Sequence, residues 1–296
     1  MPGTALGRLS EPSNASRAAW VAAGAAVRTL HAAPLPPWPG PNLDQLAQRL
    51  ATECEWLVAN DVLPVAVIKH NQRIAETLDS YVGGSIQAVD VATGKVETLY
   101  TEVDGVPLKG PNDLVFDRTG GFWFTDHGKT WERSQDRGGL YYARPDGSSV
   151  TEVVFPLEGP NGVGLSPDES TVYVAETHTG RVRKWKIAEP GVLDAKFGKK
   201  TRGDLVVGLP GEQLLDSLAV DGAGHVCVAT IRNGGISDID PADGSVVHVP
   251  TGDALTTNIC FGGPDLTTAY ITCSLGGTLK VATWPRPGLK LNFNPY

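Results

Sequence analysis

The sequence predicts an all-β fold in which one sheet unit is repeated around an axis. Three observations carry this. A strand–turn–strand segment recurs four times, opening at residues 112, 161, 216 and 258. Each copy starts on Asn or Asp, runs through a short apolar strand, turns on Asp, Gly or Pro, and returns in a strand of β-branched and aromatic residues. Behind each copy lies a second stretch of alternating apolar residues, the mark of paired antiparallel strands. Finally, 35 Gly and 22 Pro in 296 residues suit a turn-dense β protein. Two hairpins per repeat at this spacing make four-stranded propeller blades.

In chain order, residues 1–80 do not share the pattern. The stretch 14–33 is rich in Ala, 34–41 is a Pro-rich break, and 42–62 predicts an amphipathic helix. In that helix Leu43, Leu46, Leu50, Trp56 and Leu57 recur near helical spacing, with Asn42 or Asp44 as cap. The apolar run Ala18 to Val27 resembles the core of an export signal, but Glu11 and a long polar lead-in precede it, so a cytoplasmic location is expected. Residues 82–100 form the outer half of a blade, and 103–285 about four blades. The chain is therefore divided into an atypical segment, 1–80, and a propeller domain, 81–296. Four and a half blades leave strand edges bare, so part of the first segment is expected to cover or complete the ring.

Composition excludes several functions. A net charge of −8, a pI near 5.3 and the lack of a basic run argue against nucleic acid and anionic membranes as partners. No apolar stretch is long enough to span a bilayer. Cys54, Cys227, Cys260 and Cys273 show no C-x-x-C spacing, and the last three fall in predicted strands. They are expected to be reduced core residues and neither a disulfide framework nor a zinc site.

In a propeller the innermost strand of every blade lines a central channel, so strand openers from different blades converge. Asn112, Asn161 and Asp216 are such openers: three oxygen donors, one of them charged. That set suits a hard cation such as Ca²⁺, which takes six to eight oxygen ligands, better than Zn²⁺, which favours His and Cys. A Pro-Asn pair alone is a turn signal; its recurrence at equivalent places makes candidate ligands of Asn161 and Asp216. Asn258 opens the fourth copy as a strand cap or a residue behind the ligands. Asp117, Asp168, Asp221 and Asp265 recur in hairpin turns as caps, and Trp123, Tyr173 and Tyr270 are expected between blades. Asp126 and His127 end a strand at the channel mouth, where His127 is either a substrate contact or an ordinary surface histidine. His178 and His225 share no metal-pair spacing.

Taken as an ordered set, several motifs carry a further resemblance. They are Gly110-Pro111-Asn112-Asp113, Phe124-Thr125-Asp126, Pro160-Asn161-Gly162, Leu165 to Asp168, Tyr173 to Glu176 and Asp216 to Asp221. The chain resembles the senescence-marker-protein/gluconolactonase/luciferin-regenerating-enzyme family over roughly 82–296. The resemblance implies a six-bladed propeller, one divalent cation and lactone hydrolysis. The cation is most often Ca²⁺, with Zn²⁺, Mg²⁺ or Mn²⁺ as alternatives. Asn161 matches the family's metal-binding Asn, and Asp216 its metal-binding and catalytic Asp. Asn112 matches its substrate- or water-holding Asn and stands as a third metal contact. The family's first-blade Glu, set in Glu-Gly-Pro, has no counterpart in 1–80, since Glu11-Pro12 lacks the Gly and Glu53 and Glu55 sit in the helical pattern. Glu158-Gly159-Pro160 precedes a later blade. The amino-terminal segment is thus expected to stand in place of a normal first blade, through a shifted reading frame, a mis-chosen start or a rearrangement. The expected function is metal-dependent opening of a small, sugar-type lactone by water. The rivals are an impaired or non-catalytic propeller and a strictosidine-synthase-like one.

Overall fold

The structure, a computed structural model, describes residues 4–8 (as backbone), 84–90, 95–131, 133–194 and 200–293. The predicted helix at 42–62, Cys54, Glu53 and Glu55 lie outside the described residues.

Four four-stranded antiparallel sheets make up most of what is described. Blade A comprises Pro111–Phe116, Phe122–Asp126, Gly138–Ala143 and Val150–Leu157. Blade B comprises Pro160–Leu165, Thr171–Glu176, Arg181–Glu189 and Asp204–Gly208, with the short Val192–Leu193 beside its third strand. Blade C is Leu214–Val220, Val226–Ile231, Gly235–Ile239 and Val246–Pro250. Blade D takes Thr256–Gly262, Thr268–Cys273 and Thr278–Thr283 from the carboxy-terminal part of the chain, and its outer strand, Thr4–Arg8, from the other end. That pairing, Thr4 with Val281 and Arg8 with Thr278, covers one edge that the sequence alone leaves bare. A hairpin of Ile86–Val89 and Val96–Tyr100 precedes blade A, where half a blade is expected.

The cores lie between blades, as radial packing requires. Period-two alternation sends Trp123 to one side of its strand and Phe122 and Phe124 to the other. Trp123, fully buried, meets Val163, Val172, Val174 and Trp185 between blades A and B, while Phe122 and Phe124 meet Ile86 and Tyr100 of the preceding hairpin and Leu108 of the segment that follows it. Tyr173 joins Leu215, Leu218 and Val228 between B and C. Cys227 and Cys273 are buried between C and D, as expected, whereas Cys260 is exposed on the opposite face of its strand. Tyr270 is only half-buried and belongs to none of these clusters.

Hairpin turns at the far end from the strand openers behave as the sequence predicts. Asp117, Asp168, Asp221 and Asp265 each accept the backbone N–H two residues on, from Thr119, Ser170, Ala223 and Thr267. Across this end runs the carboxy-terminal tail. Gly288 N donates to Leu266 O of blade D, Leu289 N to Val220 O of blade C, and Asn292 Nδ2 to Phe116 O and Glu169 Oε1 of blades A and B. Arg286 anchors it, with Nε on Asp221 and Nη2 on both oxygens of Asp238.

Candidate functional site

The inner strands share a register defect that builds the site. Pro111 pairs with Asp126 but Leu114 with Phe124; Pro160 pairs with Glu176 but Val163 with Val174; Leu215 pairs with Thr230 but Leu218 with Val228. Each strand therefore carries one extra residue at its mouth end, a β-bulge, which re-aims side chains next to the bulge. In blade D the same slip falls between Thr256 and Asn258. By this register the counterparts of Asn112, Asn161 and Asp216 include Thr257, while Asn258 is the counterpart of Asp113. The sequence alignment of blade D is thus off by one residue, because the bulge leaves no signal where two adjacent residues are both polar. The local bonding agrees: Asn258 Oδ1 accepts Ile259 N–H at 2.7 Å, and Asp113 Oδ1 accepts Leu114 N–H at 2.9 Å.

The blades are stitched together at these bulges. Thr125 Oγ1 donates to Asn161 O at 2.6 Å and receives Asp113 N–H. Asp113 Oδ2 accepts Val163 N–H from blade B at 3.2 Å, and its carboxyl is also bonded by Leu218 N–H of blade C. Gly162 permits the close approach of B and C: a Cβ there would lie 2.6 Å from Leu218 N and 2.9 Å from Asp216 O. Buried acids hold the incoming chain before the openers of blades A and B. Asp126 accepts Lys109, Gly110 and Gly128 N–H groups, and Glu176 accepts Glu158 N–H while paired to Arg183 at 2.8 Å. Asp126 is therefore a structural clamp.

Asn161 has a fixed orientation. Thr177 Oγ1 spends its single hydrogen on Leu215 O at 2.7 Å, so it can only accept from Asn161 Nδ2 at 3.3 Å. The Asn161 amide also bonds the Asp216 carboxylate. Its Oδ1 is left buried and unpartnered, as is Nδ2 of Asn112. An orphaned acceptor fits a cation, and an orphaned donor fits an oxygen acceptor.

Asp216 is buried at 8 % exposure, and burial pushes its carboxyl up to about 7, against the hydrogen bonds from Asn161 and Ser217 N–H and with the repulsion of Asp113. Burial likewise lifts Asp113 to about 7 despite the N–H groups of Val163, Leu114 and Leu218. Two buried carboxyls near enough to repel thus have their charged forms disfavoured, and Asp216 lies beside an unpartnered amide oxygen. Asp113 was missed in the sequence as a site residue; the Asn-Asp doublet was the available signal. These donors are all oxygen, and they fit a divalent cation.

A second acidic cluster, Asp221, Cys227 and Asp238, lies at the tail end of blade C. The Arg286 guanidinium already neutralises both carboxylates, and the Cys227 thiol is pushed well above its ordinary value by burial, so the cluster is an ion-pair anchor. His127 is buried at the mouth, not on the surface. Its ring packs edge to face on His178, centroids 5.1 Å apart, a contact that no sequence spacing signals.

A family model described as an SMP-30/gluconolactonase/LRE-like region matches residues 52–274. The chain belongs to that family. Among curated proteins, lactonase drp35 of Staphylococcus haemolyticus is 35% identical over 123 residues, covering 42% of this chain and 36% of that protein. The drp35 lactonase of Staphylococcus saprophyticus is 37% identical over 123 residues, with the same shares. The match thus spans well under half of either relative. Among solved structures, a gluconolactonase from Xanthomonas campestris superposes with a TM-score of 0.55 at 27% identity, over 68% of this chain and 65% of that one. A calcium-binding regucalcin from Agrobacterium tumefaciens gives 0.56 at 20% identity, over 70% and 74%, a likeness of fold. The all-β propeller and the family resemblance are borne out. Among the described residues no helix is long and apolar enough to cross a membrane.

Proposed function

We propose that this protein opens a small, sugar-type lactone with the help of one divalent cation at the hub, Ca²⁺ being the best fit. The observation that carries the reading is the unpartnered Oδ1 of Asn161 beside the desolvated Asp216 carboxyl, with Asp113 next to it. Asn161 and Asp216 would hold the cation. When bound, it would supply polarisation of an ester carbonyl and charge balance for the buried carboxylates.

The chain's own residues do the rest. Asn112 Nδ2–H, unpartnered and buried, donates to a substrate oxygen and orients the ring. Asp216 is the group placed to take a proton from the attacking water. The water oxygen bonds the carbonyl carbon, the ring C–O bond breaks, and the proton ends on the released alkoxide, giving a hydroxy acid. Thr177 fixes the Asn161 amide so that its oxygen, not its NH₂, faces the reaction.

Support for the lactone class comes from the family match and from the names of the drp35 and gluconolactonase relatives. The same reading extends the ring to six blades, keeps 81–296 as the bulk of the propeller domain, and places the protein in the cytoplasm. It is tested by calorimetric titration of the purified chain with Ca²⁺, followed by assay on δ-gluconolactone. Calcium-dependent hydrolysis, lowered about a hundredfold or more by Asp216→Ala, is the expected result. A folded protein that takes up no divalent cation would overturn it.

A further inference from the structure

The channel mouth carries a second group of polar side chains that the hub chemistry leaves unused. His127 follows the second strand of blade A, and His178 follows that of blade B. Both therefore stand at the end of the channel where Asn112 and Asn161 open. Their planes are inclined at 68°. Gly159, on the segment entering blade B, lets them meet. A Cβ there would lie 2.4 Å from His178 Cδ2, 2.7 Å from His178 Nε2 and 3.1 Å from His127 Nε2. Its φ of +62° is a second reason for glycine. The two Nε2 atoms thus lie on one side of Gly159, close enough for a single ligand oxygen to bond both.

The ring hydrogen of His127 can be assigned. His127 Nδ1 sits 3.2 Å from Gly128 O, so it carries the hydrogen and donates, which leaves Nε2 as an acceptor. Among the described residues neither Nε2 has a hydrogen-bond partner. Glu158, the nearest acid to His178, is paired with Arg137 at 3.4 Å. Burial holds His127 at about 4 and keeps His178 below its ordinary value, against the pull of Glu158. Both rings are therefore uncharged at neutral pH. An uncharged acceptor beside an uncharged donor matches a hydroxyl and offers little to a carboxylate or phosphate.

We propose that His127 and His178 form a hydroxyl-binding notch on the channel rim, which recognises one OH of a polyhydroxylated ring lying over the hub. His127 Nε2 accepts the hydroxyl hydrogen, and His178 Nε2–H donates to the hydroxyl oxygen. The inference rests on the lactone reading only for what lies beneath the ring. It makes these histidines specificity determinants, with no part in bond breaking.

The test uses 1,5-anhydro-D-glucitol, a ring polyol without an ester, titrated into the full chain while the imidazole ¹⁵N signals are followed by NMR. Both Nε2 signals should move together and saturate with one Kd. His178→Phe, at an exposed rim position, should weaken binding about five- to tenfold, the loss of one hydrogen bond, and His178→Gln should restore most of it. Absence of shifts at saturating polyol, or equal affinity in the Phe variant, overturns the notch. The ligand cannot be hydrolysed, so failure of the lactonase assay leaves this readout intact. Conversely, a protein that opens lactones yet shows no imidazole shift loses the notch alone.

Discussion

Replacing Asp216 by Asn should have opposite effects with and without cation. In the cation-free protein, burial raises this carboxyl from 3.8 to about 7. A difference of that size corresponds to about 4 kcal/mol against the charged form. The sign follows from proton binding. Between pH 4 and 7 the folded state holds a proton that the unfolded state has released, so the group's stabilisation is present below pH 4 and is lost as pH rises through 7. The isosteric amide removes that loss and forfeits the hydrogen bond from Asn161, about 1 kcal/mol. At pH 8 in EDTA the variant should therefore be more stable by about 3 kcal/mol, or roughly 5–10 °C in Tm for a domain of this size. In Ca²⁺ at a hundred times its Kd the parent should gain about 2.7 kcal/mol and the variant far less. Differential scanning calorimetry in both buffers measures all four states. A variant that melts below the parent in EDTA at pH 8, or that responds to Ca²⁺ as the parent does, refutes the reasoning.

Other expectations concern the parts that hold the hub in place. Thr177→Val keeps the volume but removes the acceptor that orients Asn161; cation affinity should fall about 10–100-fold in a calorimetric titration. Arg286→Ala strands Asp221 and Asp238, both buried, and should cost about 3–5 kcal/mol by urea unfolding. Trp123→Ala opens a cavity between blades A and B and should cost about 3–5 kcal/mol in the same assay, with little effect on the cation Kd.

The architecture was legible in the sequence because a propeller repeats its own grammar. The Asp caps at 117, 168, 221 and 265 marked the hairpin turns, and alternation of bulky residues placed Trp123 and Tyr173 between blades. The contact of Asn161 with Asp216 between blades B and C followed from the same repeat, and Asn112 stands at the equivalent place in blade A. What stayed hidden depends on non-local geometry. A bulge does not change composition, so the equivalence of Thr257, not Asn258, to Asp216 emerges only from the paired register. Asp113 became visible as a site residue through its bonds to two neighbouring blades, neither adjacent in sequence. His127 and His178 lie 51 positions apart and meet because a glycine on a third segment leaves room. The strand Thr4–Arg8 carried no propeller motif, yet it completes blade D by pairing along its backbone, which asks little of side-chain identity.

The carboxy-terminal tail bonds to residues of blades D, C, B and A. Because translation proceeds from the other terminus, this seam is sewn last, after every sheet it crosses has already emerged from the ribosome. Until then those sheets are held by the bonds at the bulges and by the cores between blades, without this tie across the far end. A nascent chain stalled before Arg286 would hold all four strand openers and their mutual bonds, yet lack the belt at the opposite end.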